Sequence, residues 1–147
     1  MKNFFFLVLG LLIILGSVFL FFSRPVVPES QTKIIKINDT SIQVEVVDTP
    51  QTRAKGLSGR KTLPAGTGML FIFGNPVQDG FWMKDMRFAI DIVWIDNNFR
   101  VVDINKEVSP DTFPQIFYPN QVVQYVLELP AGFSARHFID IGAMVQF

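Results

Sequence analysis

The chain has no cysteine. That absence removes disulfide scaffolds, zinc–thiolate sites, lipidated cysteines and thiol nucleophiles. It has a single histidine, His137, so a histidine metal cluster cannot form. No motif supplies the nucleophile and orienting acid that a histidine-based triad needs. A surface or structural role is expected for His137. No Asp-rich loop offers the several oxygens that calcium requires. Neither net charge nor a basic run is present, with 13 Lys and Arg against 13 Asp and Glu, so there is no electrostatic footprint for nucleic acid. The glycine-rich stretches Gly56–Arg60 and Leu63–Gly68 match neither a P-loop nor a dinucleotide fingerprint and read as turns. No metal and no cofactor are expected.

What is present begins with an uninterrupted apolar run, Phe4–Phe22. As a helix rising roughly 1.5 Å per residue it spans about 28 Å, close to the ~30 Å hydrocarbon core of a bilayer. The run is longer than the apolar region of a usual signal peptide and ends in Phe-Phe-Ser-Arg-Pro, with no small-x-small cleavage site. The expectation is an anchor in residues 1–22, with a cleaved signal segment as the alternative. Lys2 on one side and Arg24 and Lys33 on the other leave the charge bias nearly balanced. The position of the run at the amino terminus favours a signal anchor, single-pass, with the domain extracytoplasmic. Residues 23–32, polar with two prolines, read as an extended spacer. Residues 33–147 then carry enough chain for one self-sufficient core, expected to be monomeric.

Along that domain, β-rich runs alternate with turn chemistry. Lys33–Ile37 and Ile42–Val47 flank Asn38-Asp39-Thr40-Ser41 and predict a hairpin. Asp48-Thr49-Pro50 predicts a helix start and Gly56 its stop. Met69–Phe73, apolar on both faces, reads as a central strand. Asp91–Ile95 and Phe99–Ile104 are strands joined at Asp96-Asn97-Asn98, residues that tolerate positive φ. Ser109–Asn120, with three prolines, reads as a long surface loop. In Val122–Leu129, Val123, Tyr125, Leu127 and Leu129 share one face, and Val126 and Glu128 the other. Ser134–Phe138 reads as one helical turn and Ala143–Phe147 as the last strand. About eight short strands at this spacing predict an all-β sandwich or barrel with one or two short helices.

Gly80–Ile104 organises the rest. It holds both tryptophans, a Lys84-Asp85 pair beside aromatics, and Asp91 at the mouth of an apolar strand. A polar group in such surroundings must find a partner or stay wet. Asp91 and Glu128 are the acids embedded in apolar strands. Two carboxyls across a cleft would suit general acid–base work such as glycoside hydrolysis; the plainer expectation is a structural role, hydrogen-bonded to Arg53, Arg60 or backbone amides. Lys84 is expected to be solvated or ion-paired. Phe81 and Trp94 are expected in the core, and Trp82, on the opposite face from Phe81, beside the polar bend.

The blocks GLSGR, GMLFIF, FWMKDMRFAIDIVWID and VLELPAG, in this order, resemble the DUF192 family of small bacterial and archaeal proteins. The resemblance runs from Ile34 to Phe147. It implies a compact, mostly β domain, sandwich- or jelly-roll-like, often behind an export or anchor segment, and no established activity. The family's recurring residues map onto Arg53, Gly56, Leu57, Arg60, Gly68 and Met69, then Phe81 to Lys84, Asp91, Glu128 and Gly132. Asp85-Met86 and Ala89-Ile90 depart from the family's Asn-Thr and Pro-Leu, Ser58 stands where Met is common, and Ala143 where an Asp is frequent.

Three functions are compatible with these residues. The first is a membrane-tethered, non-catalytic binding module with a site lined by Arg53, Arg60, Trp82, Met83, Lys84, Asp91 and Glu128. Its charged and aromatic side chains suit a small anionic or sugar-like ligand, or an envelope protein as partner; the bilayer itself is contacted through residues 4–22. The second is an envelope-glycan hydrolase using Asp91 and Glu128. The third is a structural or assembly module.

Overall fold

The computed structural model describes residues 31–147; the expected anchor at 1–22, and residues 23–30 of the spacer, lie outside them. Among the described residues no helix is long and apolar enough to cross a membrane. The elements in order are β1 (Gln31–Ile37), β2 (Thr40–Val47), α1 (Pro50–Lys55), β3 (Thr67–Val77), β4 (Phe81–Trp82), β5 (Ile90–Ile95), β6 (Val101–Val108), β7 (Ile116–Phe117), β8 (Val123–Pro130), α2 (Phe133–Arg136) and β9 (Val145–Gln146). Asn38, at φ 53°, makes the β1–β2 turn.

The first helix starts and stops as its residues dictate. Thr49 accepts from the Thr52 amide while Thr52 returns a bond to Thr49, a capping box that satisfies amides left free at a helix start. Pro50 opens the helix, and Gly56 ends it at φ 48°. The chain between β2 and β3 is long enough for a crossover, and the two strands pair in parallel; the other pairings are antiparallel.

Seven strands form one sheet in the order β6-β5-β8-β3-β2-β1-β9. It curls into a half-barrel, and Arg100 near one edge bridges Met144 beside the other. The mostly β expectation holds, and of its two forms, sandwich or barrel, the barrel-like one is nearer: one curled sheet and a separate β4–β7 pair. β7 falls within the segment expected to be loop. Its Ile116 lies opposite Trp82, and a Cβ at Gly80 would come within 2.2 Å of the Ile116 side chain, so glycine allows this close approach. At the β5–β6 turn the positive φ falls on Phe99 (62°), because the Asp96 side chain accepts from the Asn98 and Arg100 amides and holds the preceding residues.

Strand periodicity divides the core by face. Ile42, Val44, Leu70, Val93, Leu127 and Leu129 pack inside the curl. Met69, Phe71, Ile92, Trp94 and Val126 point outward and are covered by Leu57, Met83, Phe81 and their neighbours from the loops and the small sheet. Val123, expected on the Leu127 face, packs with the outer group, at the end of β8 where the β3–β8 register is irregular.

Candidate functional site

A cavity of about 340 Å³ opens on the outer face of the sheet. Its lining comes from α1, β3, β4 and β8. Buried Glu128, Phe71 and Phe73 mark the floor; exposed Lys55, Asp79 and Trp82 mark the mouth. Phe81 meets Phe71 edge-on, centroids 4.8 Å apart, and Trp94 at 5.3 Å, so the cavity wall runs directly into the core. Both Phe81 and Trp94 pack as expected, and the Trp94 indole N–H donates to Asn105 at 2.7 Å. Trp82, 52% exposed, stands at the rim with Lys84 Nζ 5.8 Å from its ring.

Glu128 is 6% exposed, and its Oε2 is buried with no hydrogen-bond partner among the described residues. Across the sheet Glu45 lies opposite Met69, and Met69 and Ile92 lie opposite Glu128. These four side chains therefore share the outer face. Arg60 bonds Glu45 at 2.6 Å, leaving Glu128 without a direct ion pair. Burial pushes Glu128 from its ordinary 4.5 up to about 8, while the positive charge of Arg60 draws it part of the way back.

Asp91 has the opposite fate. It lies across from Leu129, one residue out of phase with Glu128, and so on the inner face. It is fully buried. Its Oδ1 accepts from the amides of Glu107 (2.8 Å) and Gly132 (3.0 Å), and its Oδ2 from the amide (2.9 Å) and hydroxyl (2.5 Å) of Ser134. Gly132 is the N-cap of α2 and has no side chain to offer. Asp91 supplies that cap from a neighbouring strand, meeting free amides of the helix start. Placing it in the binding site is corrected: its lone pairs are spoken for, and it and Glu128 do not flank one cleft.

The other expected site residues divide. Arg53 lines the cavity, but its guanidinium donates to the Asp48 and Ile72 carbonyls and lies 5.0 Å from the Phe73 ring centre. Arg60 pairs with Glu45 outside the lining. Met83 is buried in the outer core, and Lys84 is exposed. So Arg53, Trp82 and Glu128 are brought together, and Arg60, Met83, Lys84 and Asp91 are not part of the cavity wall. Sequence reasoning missed Phe71 and Phe73 as lining, because a strand apolar on both faces carries no phase. It also missed Glu45 as the partner of Arg60, although its place on the polar phase of β2 was legible. His137 stacks on Phe133 at 4.1 Å and lies 3.3 Å from the Thr40 hydroxyl, a structural position. Among the described residues no group of His, Asp and Glu is placed to hold a metal.

The DUF192 profile, described as an uncharacterized ACR, matches residues 33–147. The chain belongs to the DUF192 family. Among curated proteins nothing matches it. Two crystal structures are similar to this DUF192 domain. One, from Sinorhizobium meliloti 1021 and described as a candidate transcription regulator, has TM-score 0.76 and 25% identity, covering 80% of this chain and 95% of its own. The other, from Novosphingobium aromaticivorans DSM 12444 and of unknown function, has TM-score 0.77 and 26% identity, covering 84% and 90%. The motif positions of the DUF192 domain serve two ends. Gly68, Asp91 and Gly132 build the sheet and the α2 turn: a Cβ at Gly68 would sit 2.9 Å from the Glu128 carbonyl oxygen. Arg53, Gly56, Leu57, Phe81, Trp82 and Glu128 surround the cavity.

Two measurements separate the acids. Asp91→Ala strips the partner from three amides and a hydroxyl, and is expected to cost about 3 kcal/mol or more in urea unfolding. For Glu128 the folded state holds a proton that the unfolded state releases near 4.5. Its contribution is intact below 4.5, falls as pH rises, and is lost above about 8. Glu128→Gln keeps the volume without the titration. It should match the parent at pH 4.5 and exceed it at about pH 8, by a few kcal/mol; equal stability curves across that window would show that Glu128 is solvated.

Proposed function

We propose that the DUF192 domain is a non-catalytic binding module, held on the extracytoplasmic side of the cell membrane by residues 4–22, and that the outer-face cavity receives a small ligand. One observation carries the reading: the Glu128 carboxyl, whose Oε2 has no hydrogen-bond partner among the described residues, lines an aromatic-walled cavity. A buried polar atom without a partner is costly, and a ligand that hydrogen-bonds there recovers that cost while burying its apolar body. The two-acid hydrolase loses its geometric basis, since Asp91 is on the other face of the sheet.

An envelope-protein partner is the second reading. It is favoured by the exposed Trp82, Phe113, Ile116 and Tyr118 beside the cavity mouth; contiguous apolar surface of this kind marks interaction sites.

Ala54 is exposed and lines the cavity. Ala54→Trp is expected to fill the opening without disturbing the core. In a thermal-shift screen of small molecules against the full chain, compounds that stabilise the parent should lose at least about tenfold in affinity on this variant. Hits that bind both forms alike would place the ligand elsewhere and favour the partner reading. The anchor is checked separately: the full chain should fractionate with membranes and be digested by protease added to spheroplasts, and protection from the protease would put the domain on the cytoplasmic side.

A further inference from the structure

Resting on the cavity as a binding site, we propose that its ligand is an uncharged, flat molecule with an amide-like edge, an acceptor beside a donor, held by the Glu128 carboxyl in the cavity lining. The argument is one of charge and shape. A cation would enter past Lys55 at the mouth and Arg53 in the wall, and Arg60 is near enough to act on Glu128. An anion would pass Asp79 at the mouth and meet a carboxyl at the floor. Arg60 is already paired with Glu45, and Nη1 of Arg53 is held by the Asp48 and Ile72 carbonyls. A charge of either sign would also be desolvated among Phe71, Phe73 and Phe81, at a large cost.

A neutral molecule avoids each of these penalties. A carboxylic acid has one O–H to donate and an oxygen to accept, which is the complement of an amide or lactam edge. The Phe71 and Phe81 rings, crossed edge-on at 77°, and the exposed Trp82 indole offer apolar surface for a planar body. A volume of about 340 Å³ falls within the size range of small-molecule sites. No bond is made or broken; the interaction is recognition alone.

Three probes of nearly equal shape separate the charge classes: benzamide, benzoate and benzamidinium. Binding to the full chain in detergent micelles at neutral pH is read from the indole N–H resonances. Trp82 reports from the rim, and Trp94, buried and bonded to Asn105, serves as internal control. Benzamide is expected to shift Trp82 but not Trp94, and to bind at least about tenfold more tightly than either ion. Glu128→Gln, which keeps a donor and an acceptor, should hold benzamide within about threefold of the parent, whereas Glu128→Leu, apolar and suited to the outer core, should weaken it about tenfold or more. Preference for benzoate or benzamidinium, or indifference to Glu128→Leu, overturns the amide-edge assignment and leaves the cavity standing as a site. Silence at Trp82 with all three probes overturns both.

Discussion

The Asp91 carboxyl ties the β6 bulge at Glu107 to the turn at Gly132–Ser134, pieces of chain next to strands that flank β5 and do not pair with each other. Glu107 sits in a β6 bulge at φ 52°, which turns its amide toward Asp91. Gly132, at φ 71°, turns β8 into α2 and aims its amide at the same oxygen. Ser134 brings amide and hydroxyl to the other. Both backbone conformations belong to the region that L residues rarely adopt, and the shared acceptor is what gives them a common destination. A fully buried acid is tolerable on such terms, with each oxygen accepting two bonds. The turn that Asp91 stabilises directly follows the strand that carries Glu128.

Glu128 shows what the same fold does with an acid left unpaired. Its strand is central, with β3 on one side and β5 on the other, so it cannot reach solvent by fraying. Arg60, whose charge acts on it, is bound to Glu45 across the Met69 row. The remaining route to lower energy is to keep its proton, and burial drives it there. A neutral acid facing a cavity differs in kind from a charged one: it recognises hydrogen-bonding patterns rather than counter-ions. The same side chain is thus a liability in folding, and a buried acid of raised pKa in a cavity wall is the kind of group that clusters at functional positions.

The cavity exists because the outer face of the sheet is covered piecemeal. α1, the Gly56–Arg60 turn and the β4–β7 pair each cover part of it, and the gap between them remains open to solvent at Trp82 and Lys55. The inner face, by contrast, is closed by the curl of the sheet on itself, where inner core residues from β1, β2, β3, β5, β6, β8 and β9 meet one another. Asp91 looks inward and Glu128 outward, and that difference of phase separates the fully bonded acid from the one in the cavity wall.

Sequence alone determined the elements whose causes are local. Thr49, Pro50 and Gly56 specified α1 at both ends, because capping and φ preferences act within a few residues. The turn chemistry at Asn38-Asp39 specified a hairpin, the alternation from Tyr125 to Leu129 specified the two faces of that part of β8, though not the place of Val123, and the motif blocks specified the family. β7 and its pairing with Trp82 were not legible, because a two-residue strand in a proline-containing segment is stabilised only by its distant partner. Tertiary structure alone decided which acid would be satisfied. Asp91 and Glu128 present the same local signal, a carboxyl in an apolar strand. The partners of Asp91 lie up to 43 residues away, and strand register, a property of pairing rather than of composition, sends one carboxyl to a set of waiting amides and the other to an open cavity.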